Sequence, residues 1–222
     1  MRRREMFKEG LKAVWYRIAR AVLRALCLVF FRLRVFGREN IPDEGAFILA
    51  SNHQSYLDPV LCGVRVKRQL WFLARESLFS NRFFGWLISS VGSLPLKRGQ
   101  ADMATVRQVI GILKEGKGVC LFPEGTRTND GKIEALKPGF GLLCRRGSAA
   151  IVPTVVDGAF ECWPRHKKMF SFGSIWVRYG EAITAEQAEQ MGDEKLAQTL
   201  TDTLRQMQHD LRTKRGKELY HY

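Results

Sequence analysis

The sequence predicts an α/β protein in which helices flank a central, mixed but mostly parallel sheet. Two observations lead to this prediction. Short apolar runs typical of strands alternate along the chain with segments whose apolar residues recur every three or four positions. The length of 222 residues, with 45% hydrophobic and 26% charged residues, suits a single domain with a substantial core.

Residues 1–36 are predicted to form a basic amphipathic helix. Apolar side chains recur at helical spacing over residues 11–31. Arg17, Arg20 and Arg24 form a separate basic stripe, and up to residue 38 eleven basic residues face only two acidic ones. The longest uninterrupted apolar run has seven residues, whereas a spanning helix needs ~20. We therefore expect the helix to lie on an anionic membrane surface.

The same segment is compatible with three further roles. It could be a signal peptide, but Arg24 interrupts the apolar region and no small-residue cleavage site follows. It could be a terminal helix packed on the core of the domain, with its arginines in solvent. A basic face could also bind nucleic acid, although Trp15, Phe30 and Phe31 favour lipid over a duplex.

Six strands and two clear helices are predicted for the rest of the chain. The strands are 33–36, 46–50, 70–73, 118–122, 151–156 and 174–179. One helix begins at Asp102, a suitable N-cap, and ends at Gly116. A second begins with a capping box of Thr184 and Gln187, and Gly192 is a candidate break within it. After it, a charged tail is expected to be mobile.

The cysteines and histidines indicate no metal site. The five cysteines form an odd set without C-x-x-C spacing, which suits a reducing compartment. They are Cys27, Cys62, Cys120, Cys144 and Cys162. Three of the histidines, at positions 166, 209 and 221, are scattered without the spacing of metal ligands.

The stretch SNHQSYLDP, residues 51–59, follows the second predicted strand. If Ser55 caps a helix, the carboxylate of Asp58 can point back to the imidazole of His53. An acceptor on one ring nitrogen fixes the tautomer and leaves the other nitrogen free to take a proton. Alternatively, Asp58 itself caps a helix that starts with Pro59, and His53 is an ordinary loop residue. The local sequence leaves both possibilities open.

The stretch CLFPEGTRTN, residues 120–129, predicts a phosphate site. Pro123 ends a buried strand, and a loop follows at its carboxyl end, where open α/β sheets bind ligands. A glycine turn can aim backbone N–H groups at an anion, and a guanidinium can grip phosphate through two hydrogen bonds. The alternative is an ordinary polar turn with Arg127 in solvent.

Together, NHQSYLDP and FPEGTR resemble the N-H-x4-D and F-P-E-G-T-R boxes of the glycerolipid acyltransferases, specifically the 1-acylglycerol-3-phosphate acyltransferase group. GSLPLKRG resembles the G-x-I-x-x-x-R block of that family, with Arg98 at the matching position. IVPT, residues 151–154, is similar to its short V-P block, and Lys137 with Gly139 matches its K-x-G. Many relatives have lysine where this chain has Arg75.

The resemblance implies transfer of a fatty acyl group from an acyl-CoA or acyl carrier protein thioester to the sn-2 hydroxyl of 1-acylglycerol-3-phosphate. That reaction gives phosphatidic acid in phospholipid biosynthesis. We assign His53 as general base and Asp58 as the group that orients it. The predicted phosphate-binding residues are Arg98, Glu124, Gly125, Thr126 and Arg127. Further candidates are Asn52, Ser55, Arg75, Lys97 and Lys137.

The predicted organisation has a membrane-interacting helix at 1–36, a catalytic domain at 37–184, and a C-terminal helix with a charged tail at 185–222. We expect a peripheral or monotopic protein on the cytoplasmic face of a membrane. Its expected partners are lysophosphatidic acid, the acyl thioester as co-substrate and an anionic membrane surface. Neither a cofactor nor a nucleic-acid partner is expected.

The segment NRFFGWLISSVG, residues 81–92, is more apolar than a surface helix requires. It is either a buried core helix or part of an acyl-chain channel or membrane contact. The residues assigned to the second role are Trp15, Phe83, Phe84, Trp86 and Leu87.

Several different functions are compatible with the sequence besides this one. A relative of this kind could use another lysophospholipid or glycerol-3-phosphate as acceptor. A thioester hydrolase would use His53 to activate water, and a non-catalytic basic protein would only bind lipid or nucleic acid. No serine lies in a G-x-S-x-G elbow, so we expect direct attack in a ternary complex rather than an acyl-serine intermediate.

Overall fold

A seven-stranded sheet forms the centre of the protein. A computed structural model describes residues 2–96 and 103–222, except for the side chains of residues 2–9 and 12. The strands are β1 Arg34–Phe36, β2 Phe47–Ser51, β3 Leu70–Arg75, β4 Ser93–Leu96, β5 Gly118–Leu121, β6 Ala150–Asp157 and β7 Trp176–Tyr179. Their order is β1-β7-β6-β2-β5-β3-β4, and only β6 and β7 pair antiparallel. The predicted mixed, mostly parallel sheet is confirmed.

Helices cover both faces of this sheet. They are α1 Arg2–Phe31, α2 Asp58–Gly63, α3 Arg82–Ser90, α4 Met103–Lys114, α5 Gly141–Gly147, α6 Ala159–Cys162 and α7 Ala185–Lys214. Along β2, Ile48 and Ala50 join a core cluster with α4, α5 and α7, whereas Phe47 and Leu49 join a second cluster with α1 and α2. Successive strand residues point to opposite faces, so β2 is buried on both sides.

Six of these strands were predicted from the sequence, and β4 was not. This strand contains Pro95, which lies opposite Ala74 of β3, and it forms one edge of the sheet. Proline cannot donate a ladder hydrogen bond, and an edge strand tolerates that loss because one side needs no partner. The strand β4 was therefore missed because its proline is unfavourable for strand formation.

The C-terminal helix follows its prediction closely. Thr184 and Gln187 form the capping box, and Gly192 breaks the helix with φ 70° and ψ 168°. The predicted helix from Asp102 is α4, although Asp102 itself lies outside the described residues. The prediction of a mobile tail is wrong for its last residues, because Tyr220 and Tyr222 pack against arginines of α7.

The helix α1 packs one of its faces on the domain. Cys27 and Phe31 are buried in the core, and the hydroxyl of Tyr16 accepts a hydrogen bond from the backbone N–H of Leu70 at 3.3 Å. The guanidinium of Arg20 donates to the carbonyl of Lys67 at 2.8 Å. Among the residues that the structure describes, no helix has an apolar stretch long enough to cross a bilayer.

Candidate active site

Both sequence boxes meet at one edge of the sheet. The strands β2 and β5 are parallel neighbours, and so are β2 and β6. Their carboxyl ends therefore lie side by side, and the loops after β2 and β5 carry His53 and Arg127 respectively. This edge is where open α/β sheets bind ligands.

The imidazole of His53 pairs with the carboxylate of Asp58. Nδ1 of His53 lies 2.8 Å from Oδ2 of Asp58, whose side chain is fully buried. The same oxygen accepts hydrogen bonds from the backbone N–H groups of Gln54 and Ser55, both at 2.7 Å. An ionised carboxylate can only accept a hydrogen bond, so a neutral His53 ring in this pair has its proton on Nδ1 and a free lone pair on Nε2. The His53 side chain is 19% exposed, which leaves the ring accessible to a substrate.

The structure decides between the two possibilities for this stretch. Ser55 is not the helix cap, because α2 begins at Asp58 and Leu57 precedes it without a side-chain cap. The hydroxyl of Ser55 instead donates to the carbonyl of Trp163 at 2.7 Å. Asp58 faces the imidazole and the preceding amides. It therefore orients His53, although the prediction that Ser55 caps the helix is wrong.

Glu124 joins the two boxes. Its Oε1 accepts a hydrogen bond from the backbone N–H of His53 at 2.6 Å, and its Oε2 accepts one from the backbone N–H of Glu134 at 3.1 Å. The carbonyl of His53 in turn accepts the N–H of Thr128 at 2.9 Å. Burial raises the pKa of Glu124 to about 8, and the two backbone donors only partly oppose this effect. Its carboxyl group thus holds the loop that carries His53 and does not project into solvent.

The guanidinium of Arg127 is held against an aromatic ring. Its Cζ lies 3.7 Å from the ring centroid of Tyr56, and the side chain is half-buried. The buried Nη1 of Arg127 has no hydrogen-bond partner among the described residues. Such an arrangement presents an oriented, partly desolvated cation to an incoming anion.

The turn before Arg127 requires a glycine. Gly125 has φ 78°, and its N–H donates to the carbonyl of Phe122 at 2.9 Å. A Cβ at this position would lie 3.0 Å from Nζ of Lys137, so the lysine ammonium lies over the turn. Gly125 and Thr126 are both exposed. The predicted loop residues therefore share one surface with Lys137.

The remaining candidates have different locations. Asn52 is buried and exchanges two hydrogen bonds with the backbone of Val156, at 3.0 and 2.8 Å, so it ties β2 to β6. Arg75 is exposed at the carboxyl end of β3, on the same edge as the boxes. Lys97 and Arg98 lie outside the described residues, and β4 ends just before them.

Two side chains at the site were not predicted from the sequence. The ring of Phe122 stacks on that of His53, with centroids 4.1 Å apart and planes at 20°. The ring of Tyr56 supports the guanidinium of Arg127. Each lies inside or beside one of the boxes. An aromatic residue next to a catalytic candidate in the sequence could therefore have indicated both contacts.

The helix α3 is not a buried core helix. Within it only Gly85 is buried, while Phe83 is 71% and Trp86 58% exposed. The indole of Trp15 on α1 lies 5.9 Å from that of Trp86 and donates to the hydroxyl of Ser90 at 2.9 Å. Phe84 is also exposed and Leu87 half-buried. The predicted aromatic residues of α1 and α3 thus form one exposed surface.

A histidine oriented by a buried carboxylate, next to an arginine loop at the edge of an α/β sheet, provides the groups that general base catalysis on an anionic substrate requires. The chain belongs to the acyltransferase family, since the family model described as Acyltransferase matches residues 32–157. That match spans both boxes and confirms the resemblance found in the sequence.

Curated relatives and a solved structure agree with this membership. A 1-acyl-sn-glycerol-3-phosphate acyltransferase of Bacillus subtilis is 27% identical over 201 residues, which are 90% of this chain and 98% of that protein. A protein of the same name from Pseudomonas aeruginosa is 30% identical over 175 residues, covering 78% of this chain and 66% of its own length. The crystal structure of the 1-acyl-sn-glycerophosphate (LPA) acyltransferase PlsC from Thermotoga maritima matches with a TM-score of 0.81 at 25% identity. The match covers 92% of this chain and 83% of that one.

Proposed function

We propose that this protein transfers a fatty acyl group from a coenzyme A or acyl carrier protein thioester to the sn-2 hydroxyl of 1-acylglycerol-3-phosphate at a membrane surface. The product would be phosphatidic acid. The observation that carries the proposal is the pair of His53 and Asp58, held by Glu124 of the loop that also carries Arg127. The names of the curated relatives support the choice of acceptor.

In the proposed reaction, Nε2 of His53 takes the proton of the acceptor hydroxyl as its oxygen attacks the thioester carbonyl. A C–O bond forms, and the tetrahedral intermediate then expels the thiolate as the C–S bond breaks. The thiolate takes the proton back from the imidazolium, so the enzyme is regenerated. Asp58 stabilises the imidazolium and keeps its orientation, as the carboxylate of a catalytic triad does.

The acceptor phosphate is proposed to bind at the Arg127 loop. The guanidinium lies on Tyr56 with one nitrogen buried and without a partner in the described part of the chain. A phosphate oxygen could bind the accessible part of this half-buried side chain, and Lys137 would add charge from across the turn. Arg98 and Lys97 remain predicted contributors. Binding the phosphate would place the sn-2 hydroxyl near the base.

Membrane attachment is proposed for the outward face of α1. Apolar side chains on this face are exposed at helical spacing, whereas the opposite face packs on the domain. These exposed residues are Leu11, Val14, Ile18, Val22, Leu26 and Val29. Together with the aromatic surface of α3 and the basic excess, they suit peripheral binding to an anionic, cytoplasmic membrane face.

The test is an assay with labelled acyl donor. Purified protein would be incubated with acyl-CoA or acyl carrier protein thioester, with lysophosphatidic acid, glycerol-3-phosphate or no acceptor. We expect labelled phosphatidic acid only with lysophosphatidic acid. Labelled free fatty acid without acceptor would indicate a thioester hydrolase, and bound lipid without turnover would indicate a binding protein. Either result would contradict the proposal.

A further inference from the structure

The loop between α6 and β7 exposes large apolar side chains outside the sequence boxes. We call residues 164–173 the aromatic loop. Met169 is 78%, Phe172 73% and Phe170 40% exposed. Large apolar side chains seldom cluster on the surface of a soluble protein. Such a cluster therefore indicates a contact with lipid or with another molecule.

Hydrogen bonds between the backbone of the aromatic loop and residues outside it hold the loop in its exposed conformation. The N–H of Ser171 donates to the carbonyl of Cys162 at 2.8 Å, and the N–H of Gly173 donates to that of Phe30 at 3.3 Å. The indole of Trp163 donates to the carbonyl of Lys167 at 3.2 Å. Binding through this loop would therefore cost little ordering entropy.

The aromatic loop lies beside the last turn of α1. The ring of Phe30, in the last turn of α1, lies 6.0 Å from Phe170 and 5.5 Å from Phe172, measured between centroids. The half-buried Phe30 thus connects the last turn of α1 with the apolar side chains of the loop.

The charge of the loop indicates which partner this surface fits. Arg165, His166, Lys167 and Lys168 are all exposed, and residues 164–173 contain no acidic side chain. Basic side chains beside exposed aromatic ones match an anionic bilayer, whose headgroups attract the cations while its hydrocarbon receives the rings.

We infer that the aromatic loop is a second membrane anchor, which inserts Met169 and Phe172 into an anionic phospholipid bilayer next to the outward face of α1. The inference rests on the proposed function at a membrane surface and adds a site that α1 does not supply.

The start of the aromatic loop, at Arg165, lies next to the predicted phosphate site. The hydroxyl of Tyr56 donates to the carbonyl of Arg165 at 3.4 Å, and Nη1 of Arg165 donates to the carbonyl of Arg127 at 3.4 Å. The anchor and the Arg127 loop are thus linked directly through the ring that supports the guanidinium. Insertion of the anchor would bring Arg127 to the headgroups, where the phosphate of a lipid acceptor lies.

The test measures binding of the full chain to vesicles. Sedimentation with phosphatidylcholine vesicles, with and without phosphatidylglycerol, would compare the wild type with Met169→Ser/Phe172→Ser and Lys167→Glu/Lys168→Glu. The matched control for charge is Arg107→Glu/Lys114→Glu, which changes two exposed residues of α4 on the opposite layer. Melting temperatures would verify folding, because all the changed side chains are exposed.

We expect the apolar double variant to bind anionic vesicles at least about tenfold more weakly than the wild type. The charge variant should lose binding only to anionic vesicles, with a weaker salt dependence. The α4 control should bind like the wild type. Turnover of a short-chain acceptor in solution should stay unchanged in both loop variants, whereas the KM for acceptor embedded in vesicles should rise.

Unchanged binding of both loop variants would overturn the inference. A loop variant that changes the oligomeric state instead of vesicle binding would overturn it as well, because the loop would then be an interface between copies. If the wild type binds vesicles through the loop but forms no phosphatidic acid, the proposed function fails while the anchor stands. If product forms and the loop variants bind normally, only the anchor fails.

Discussion

The carboxyl group of Glu124 accepts a hydrogen bond from the backbone N–H of His53 at 2.6 Å, across 71 residues of sequence. A glutamate from the second box thus fixes the backbone of the histidine in the first box. Its other oxygen holds Glu134, so one buried side chain ties together the loops after β2 and β5. The two boxes work as one unit, and changes in either should affect the base.

His53→Ala should lower the turnover of acyl transfer by ~10²–10⁴-fold, because general base catalysis is lost. The imidazole is partly exposed, so the melting temperature should change little. The matched control is His209→Ala, an exposed histidine on α7 that should retain full activity. Near-normal phosphatidic acid formation by the His53 variant would refute its role as base.

Arg127→Ala should raise the KM for lysophosphatidic acid roughly tenfold to hundredfold, because a charge-assisted hydrogen bond to phosphate is lost. Arg146→Ala, which removes an exposed arginine of α5, is the control and should have no effect. Steady-state kinetics with a monoacylglycerol would serve as the phosphate-free comparison. Equal sensitivity of both acceptors to Arg127→Ala would show that the residue does not bind phosphate.

Glu124→Gln should change how stability depends on pH. Burial raises the pKa of Glu124 from 4.5 to about 8, so between these values the folded protein keeps a proton that the unfolded chain releases. The wild type should therefore lose stability as pH rises through this window, by about 1.4 kcal/mol per pH unit from this group, and the loss is complete above pH 8.

The measurement is urea unfolding of the wild type and of Glu124→Gln at several pH values from about 5 to about 9. The remaining titrating groups contribute equally to both proteins, so the difference between the two slopes isolates Glu124. Parallel slopes would mean that Glu124 is already ionised at the lowest pH in the folded protein.

Asp157→Ala should lower the free energy of unfolding by about 3–5 kcal/mol. The fully buried carboxylate of Asp157 pairs with Arg212 at 3.0 Å and with Arg215. Its loss removes this negative charge from beside two buried guanidinium groups. Asp43→Ala breaks an exposed pair with Lys67 and should cost less than about 1 kcal/mol. Equal effects in chemical denaturation would contradict this distinction.

The local features of this protein could be predicted from its sequence. Capping boxes, apolar periodicity and short buried strands depend on residues close in the chain, so Thr184 with Gln187 and six of the seven strands were within reach. The two boxes indicated the pairing of His53 with Asp58 and the loop of Arg127 for the same reason, because each box is a continuous stretch. The edge strand β4 was missed because its proline opposes strand formation in general.

Only the tertiary structure decided how these stretches meet. Two roles of Asp58 were equally consistent with the local sequence, and the packing of the turn after β2 selected the one in which it orients His53. The contact of Glu124 with His53 and that of Arg127 with Tyr56 exist because parallel strands bring the ends of β2 and β5 together. Such contacts depend on strand order, which is set by the burial of whole faces of the sheet and not by any single segment.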